Sequence, residues 1–247
     1  MKRFGQIACL IVLVALVVWM AARSGLLPGL GSHRPLAHRE LATRVLTEHL
    51  ARQFPGKTAV VWSNPFSREP GHPKSVYEFE KAGLQGIEEG AGKTLRLTAV
   101  VYPELKPGAR ENPRRFLANS ETTTPLSYLV REDALDQSAM NHPEAEIIVS
   151  LIGLPANVKQ NHAWTAPPLR RFALLLPDLS VLGSDAVILE AFHSGHIAAA
   201  VVNKPGSPPE NQRMGRDLRM EFDQRFLLLT PENVDHYHQV YRRLFAP

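Results

Sequence analysis

Residues 77–101, YEFEKAGLQGIEEGAGKTLRLTAVV, decide the fold. Phe79, Gly83, Leu84 and Ile87, with Val76 just before them, recur at helical spacing and share one face. Gly90 and Gly92 then supply the backbone freedom that ends a helix, and 94–102, TLRLTAVVY, reads as a strand. A helix that stops on glycine and feeds a β-branched run is half of a strand–helix–strand unit.

The same stretch ends in the Gly-Lys-Thr of a nucleotide-binding loop. A phosphate cradle needs G-x-x-x-x-G-K-[ST] after a strand and at the start of a helix, so that backbone amides face the anion. Here the position of the first glycine is taken by Ile87, and Gly86 comes one residue early. The glycines also follow a helix and precede a strand, which turns carbonyls toward the gap. GIEEGAGKT is therefore a helix end, with Lys93 complementing the negative pole.

Outward from this unit, 58–63, TAVVWS, reads as a strand buried on both faces. Before it, a helix starting near Pro35 carries Leu41, Val45, Leu46, Leu50 and Phe54 at helical spacing. After a polar excursion over 103–125, the order repeats: helix 128–140, strand 146–152 (EIIVSLI), a Pro-rich loop with a short helix, and strand 172–176 (FALLL). Helix 184–192 and strand 197–202 (IAAAVV) follow, then a loop with Pro205, Pro208 and Pro209, and strand 225–229 (RFLLL). Thr230 and Pro231 open a terminal helix faced by Val234, Tyr237, Tyr241 and Leu244. Alternation at this spacing predicts an α/β three-layer sandwich with a mostly parallel sheet of five or six strands, preceded by an N-terminal hydrophobic helix.

That N-terminal segment stands apart. Lys2 and Arg3 precede an uninterrupted apolar run of 16 residues, IACLIVLVALVVWMAA, from Ile7 to Ala22, with Arg23 beyond it. Counted from Phe4 it approaches the length that crosses a hydrocarbon core, and Met20 spoils the small-x-small pattern of a cleavage site. The charge ahead of the run predicts that the rest of the chain is translocated. The expected division is a signal peptide or membrane anchor over 1–25, a Gly/Pro linker over 26–34 and a single α/β domain over 35–247. Membrane contact falls to residues 4–22, and the protein is expected to be extracytoplasmic, anchored to the cytoplasmic membrane, or periplasmic if cleaved. Cys9, the only cysteine, lies inside the apolar run, so the exported part has neither disulfides nor cysteine-ligated zinc. Without Lys2 and Arg3, 26 basic residues face 24 acidic ones, a balance that does not point to nucleic acid.

VVWSNPF, then YEFEKAGLQGIEEGAG, then LRLTAVV resembles the opening of type I periplasmic binding proteins, the sugar-receptor and lac-repressor-like group. Ser63, Asn64, Pro65 and Phe66 match the turn after the first strand. Phe79, Gly83, Gly86, Ile87, Glu88 and Gly90 match the following helix, and HPEAEIIVSLIGLP, from His142, is similar to the later strand that enters the cleft. The resemblance covers about the first half of the exported chain. It implies a ligand cleft at the strand ends, although the insertion from Ser67 to Ser75 displaces the aromatic ring that meets a sugar in that group. The 215 residues from His33 onward suffice for one lobe, not two.

In an open parallel sheet, ligands bind beyond the carboxyl ends of the strands. The residues at those ends are the expected ligand-binding set: Asn64, Phe66, Glu104, Asn157, Asp178 and Asn203, with Lys204 beside the last. Amides, carboxylates and one aromatic ring suit a small polar molecule. His193-Ser194-Gly195-His196 puts two imidazoles beside a serine, but no G-x-S-x-G elbow accompanies them. His236 and His238 are two apart on a helix and diverge. Glu88 with Glu89, and Glu132 with Asp133, are adjacent on helices and do not face each other. No metal, cofactor or catalytic set is expected. The leading expectation is a non-catalytic, membrane-anchored binding domain for a small polar ligand or an envelope partner protein. The alternatives are an exported hydrolase or transferase using Asp178 with His193 or His196, and a structural envelope component.

Overall fold

All six expected strands form in the computed structural model, which describes residues 33–245 apart from 118–121, 123, 168, 169 and 213. They are β1 Thr58–Trp62, β2 Arg96–Val101, β3 Ile147–Ser150, β4 Arg171–Leu175, β5 Ile197–Asn203 and β6 Phe226–Leu229. The sheet order is β2-β1-β3-β4-β5-β6, with β6 antiparallel to β5 and all other pairs parallel. Every residue of β1 and β3 is buried, which is why those runs are apolar without alternation. β2, at the sheet edge, alternates in exposure, and its register skips Thr98 against β1, a bulge that spoils the edge as a template for further pairing.

The helices are α1 His33–Gln53, α2 Lys74–Ala91, α3 Leu126–Leu129, α4 Ala134–Asn141, α5 His162–Thr165, α6 Asp185–His193, α7 Leu218–Arg225 and α8 Val234–Val240. Two cores lie on opposite faces of the sheet. One is formed with α1, α2 and α7 through Leu41, Leu46, Leu50, Ile87 and Phe222. The other is formed with α4, α5, α6 and α8 through Leu135, Trp164, Ile188, Phe192 and Val234. The N-terminal hydrophobic helix expected within 1–25 lies outside the described residues. Among the described residues no helix is long and apolar enough to cross a membrane.

Two elements depart from expectation. The helix expected over 128–140 is split into α3 and α4, because the backbone between them bonds elsewhere: Val130 bridges Leu105, Lys106 N–H donates to the Leu129 carbonyl and Arg131 N–H to that of Glu104. Helix α7 falls where a loop was expected. Asp217 caps it, accepting from the backbone N–H of Arg219 at 3.0 Å and Met220 at 3.1 Å.

α2 joins β1 to β2 on one face, whereas α4, α5 and α6 lie in the later crossovers on the other. That arrangement alone would leave β4 and β5 bare on the α2 side, and α1 covers them. α1 and α2 meet almost backbone to backbone. A Cβ on Gly86 would lie 2.1 Å from the Glu40 carbonyl oxygen and 2.2 Å from Thr43 Oγ1, and one on Gly90 would lie 2.4 Å from the Arg44 carbonyl oxygen. Opposite these glycines α1 presents Thr43 and Thr47, whose hydroxyls donate to carbonyls of their own helix and so bring no unsatisfied hydroxyl into the seam. α2 then ends at Gly92, φ 51°, whose N–H donates to the Glu88 carbonyl. The segment that resembled a phosphate loop is the C-cap of a helix.

Candidate functional site

The sheet order reverses between β1 and β3, the position where such folds commonly open a crevice. At that position Gly153, beyond β3, approaches buried Ser127 and Thr124, and the Ser150 hydroxyl donates to the Gly153 carbonyl. Among the described residues a strand-end cavity lies farther along the sheet, beyond β4 and β5 on the α1 side. It measures about 270 Å³ and is lined by His38, Arg39 and Ala42 of α1, Phe79 of α2, Leu176 and Asn203 at the strand ends, Ser207, Pro208 and Glu210 of the following loop, and Arg225 and Phe226.

Each charged wall has a built-in support. Arg39 donates from Nη2 to Glu80 at 2.8 Å and lies over the Phe79 ring, 4.3 Å from its centroid. Glu80 in turn accepts from the Ser63 hydroxyl at 2.6 Å and the Asn64 N–H at 2.8 Å, so one carboxylate ties α1 to the turn after β1. Arg225 donates to Glu221 on its own helix, to the carbonyls of Pro208 and Pro209 at 3.1 Å each, and to that of Gln212. It therefore clamps the proline-rich loop over the cavity and has little capacity left for a ligand.

His38 differs from both. It is only 3% exposed, and neither ring nitrogen has a hydrogen-bond partner among the described residues. Nε2 approaches Glu221 Oε1 at 3.4 Å without the alignment of a hydrogen bond. Arg39 Nε is likewise buried without a partner and lies against Gly83. The third unusual feature is Leu176, the only non-glycine residue with positive φ among those described, at 45°. This conformation is costly for a branched side chain, more so ahead of Pro177, and such strain concentrates at functional sites. Unpartnered buried nitrogens and backbone strain thus coincide around one strand-end cavity.

Of the six residues expected to bind ligand, Asn203 lines this cavity, and Asn64 is joined to its wall through Glu80. Asn64 Oδ1 itself is occupied by the N–H of Phe66, whose ring meets His72 edge-on at 5.1 Å. The other three point elsewhere. Glu104 pairs with Arg131 beside a separate cavity of about 260 Å³, and Asn157 donates to the Glu132 carbonyl at 2.9 Å. Asp178 accepts from the Thr122 hydroxyl at 2.8 Å and caps Ser180.

Asp178 and the His193/His196 pair do not converge. Asp178 follows the carboxyl end of β4, whereas His196 precedes the amino end of the parallel β5, about 16 Å away along five residues of strand. His193 pairs with Asp235 at 3.0 Å, and His196 contacts Ser194 Oγ at 2.8 Å and the Trp164 carbonyl at 3.0 Å. The Ser194 hydroxyl also donates to the Glu190 carbonyl at 2.7 Å, which makes it part of the helix end. A site combining these residues with Asp178 is not formed.

Sequence reasoning did not single out His38 and Arg39, which line this cavity, or Glu80, which holds Arg39. A signal was present: His38 sits three and four residues before Leu41 and Ala42, so it shares their buried stripe, where a polar side chain is exceptional.

Burial, followed by the Arg225 guanidinium, holds the His38 imidazole below its usual value, against the opposing pull of Glu221 and Glu210. Burial does the same at His49, with Glu232 opposing and Arg52 assisting. Both rings are neutral when folded at a pH where an unfolded histidine, titrating near ~6.5, takes up a proton. The stability they carry is complete above that value and lost as pH falls through the lower folded values. Urea midpoints should therefore decline from about pH 6.5 downward, before the carboxylates with lowered values, Glu146, Asp185, Glu221 and Glu232, contribute their own loss at lower pH. His38→Gln should flatten the upper limb, and an unchanged slope in that variant would refute the assignment.

No protein-family model matches the chain, and no curated protein matches it in sequence. Solved structures similar to it are substrate-binding proteins of sugar transport. A sugar ABC transport substrate-binding protein from Bordetella parapertussis is 14% identical with a TM-score of 0.41, over 66% of this chain and 41% of that one. A carbohydrate transporter solute-binding protein from Agrobacterium radiobacter, in complex with D-arabinose, is 16% identical with a TM-score of 0.46, over 84% and 63%. AraP, an arabinose-binding protein from Geobacillus stearothermophilus, is 11% identical with a TM-score of 0.43, over 81% and 63%. The chain spans between 41% and 63% of the length of these proteins. At such scores the likeness concerns the layout of strands and helices and assigns no ligand.

Proposed function

We propose that the chain is a non-catalytic extracytoplasmic binding domain, held at the membrane by residues 4–22, that takes a small polar ligand in the cavity beyond β4 and β5. The observation that carries this reading is His38: a buried imidazole in the cavity wall whose nitrogens find no aligned hydrogen-bond partner among the described residues, Nε2 lying 3.4 Å from Glu221. Buried polar groups are seldom left unpaired. A neutral ring offers one donor and one acceptor, which is what a hydroxyl or amide of a ligand requires. Asn203 and Ser207 add further donors and acceptors to the lining, and Phe79 and Phe226 supply apolar surface. The membrane anchor is supported by the N-terminal sequence, as is the single domain over 35–247 by the alternation of its elements.

The test is a thermal-shift screen of the full chain in neutral detergent against sugars, nucleosides and amino acids, followed by calorimetry on variants. One class should raise the melting temperature, and Asn203→Ala should weaken that compound about fivefold, the equivalent of one lost hydrogen bond. Asp178→Ala should leave affinity unchanged. A compound whose affinity falls in Asp178→Ala and not in Asn203→Ala would move the ligand to the other rim, and no shift from any class would remove the reading.

A further inference from the structure

A second and larger cavity, about 760 Å³, opens beside α1 over the edge strand β6 and shares only Phe226 with the first. It exists because the sheet continues past α1 to β6, while α7 crosses at one end and leaves a trough. Leu41, Val45, Phe222, Phe226 and Leu228 make its apolar surface.

Its charged lining is four cations against two carboxylates, Glu48 and Asp223. Arg44 is engaged by Glu48 at 2.8 Å and Glu89 at 3.6 Å. Arg52, Lys204 and Arg219 have no carboxylate partner among the described residues, and Lys204 spends one donor on the Asp223 carbonyl at 2.7 Å. Beside Arg219, Leu218 and Met220 are 44% and 58% exposed, an unusual display of large apolar side chains on either side of a cation.

We propose that this groove binds an anionic membrane lipid, its head group on Arg52, Lys204 and Arg219 and its chain over the apolar surface. A small inorganic anion would leave the apolar wall wet, and an uncharged apolar molecule would leave three cations without a counter-charge; an anionic amphiphile satisfies both. The volume lies within the range of small-molecule sites, roughly 300–1,000 Å³. Access to lipid rests on the anchored reading: the ten residues from Arg23 to Ser32 reach at most about 35 Å and Arg52 lies roughly 28 Å along α1 from His33, so the tether lets the groove meet the bilayer that holds the apolar run and does not fix it there. The polar-ligand cavity is not needed for it.

The experiment uses the full chain in phosphatidylcholine nanodiscs that carry a minor amount of diazirine-bearing phosphatidic acid or, in parallel, diazirine-bearing phosphatidylcholine, with adducts mapped by mass spectrometry. The anionic probe should label peptides from 41–52 and 218–228 at least about fivefold more than the zwitterionic one. R52Q/K204Q/R219Q should lower that labelling about tenfold or more at unchanged melting temperature. Unlabelled phosphatidylglycerol should compete and excess inorganic phosphate should not. Equal labelling by both probes, labelling that survives the triple substitution, or competition by inorganic phosphate would overturn the proposal. Labelling confined to residues 1–32 would overturn it too, while leaving the anchor intact.

Discussion

Replacing Gly86 by alanine is expected to destabilise the protein by about 2–3 kcal/mol, although alanine is the better helix former by about 1 kcal/mol. The added methyl would sit 2.1 Å from the Glu40 carbonyl oxygen and 2.2 Å from Thr43 Oγ1. Neither neighbour is the free end of a flexible side chain. One is helix backbone, and the other is held by bonds to the carbonyls of Arg39 and Glu40. Relief requires α1 to move off α2, which would loosen Leu46, Leu50 and Ile87 in the core beneath them. Gly90→Ala meets the same helix through Arg44 and Thr47 and should cost a similar amount. The double variant should lose less than the sum, because one displacement of α1 relieves both clashes. Gln85→Ala, on the exposed side of the same helix, should stay within about 0.5 kcal/mol of the parent. Urea unfolding with a shifted midpoint and an unchanged slope is the required signature, and a Gly86→Ala protein at least as stable as the parent would show that the two helices do not touch there.

This seam also explains how much of the fold was legible. Gly83, Gly86, Ile87 and Gly90 announced a helix that ends on glycine, and the six apolar runs announced six strands, because burial on both faces leaves a chemical trace in each residue. What could not be read locally was settled by partners distant in sequence. The 128–140 helix broke because Glu104 and Lys106 compete for its backbone, and α7 went unseen because exposed Leu218 and Met220 blur its apolar face. For the proposed site, the strand-end rule pointed to a rim and not to the residues that line the cavity there. Strand-end reasoning named Asn203, which lines the cavity, but the Asn157 and Asp178 side chains are engaged by Glu132 and Thr122 from distant segments, and Glu80, which braces the rim, looked like one more charge on an amphipathic helix.

Removing that carboxylate should have the largest effect of any single charge change. Glu80 is 3% exposed and serves three donors at once: Arg39 Nη2, the Ser63 hydroxyl and the Asn64 N–H. Glu80→Ala strands a buried guanidinium, the buried Ser63 hydroxyl and the half-buried Asn64 N–H, and breaking one side of a buried pair costs about 3–5 kcal/mol. Glu80→Gln separates the two jobs. Its amide oxygen can still accept from Ser63 and Asn64, but its amide nitrogen faces Arg39 with the wrong sign, so most of the loss should remain. Arg39→Met then becomes informative: alone it leaves the carboxylate unpaired, yet in the Glu80→Gln background it removes the stranded charge. The double variant should therefore be more stable than Glu80→Gln by about 1 kcal/mol or more, a coupling that a four-member cycle measures directly. If the two substitutions simply add, Arg39 and Glu80 are not a pair. Ligand binding offers a second readout, because Arg39 stands between Glu80 and the cavity that His38 lines: Glu80→Gln should weaken a ligand that Asn203→Ala also weakens.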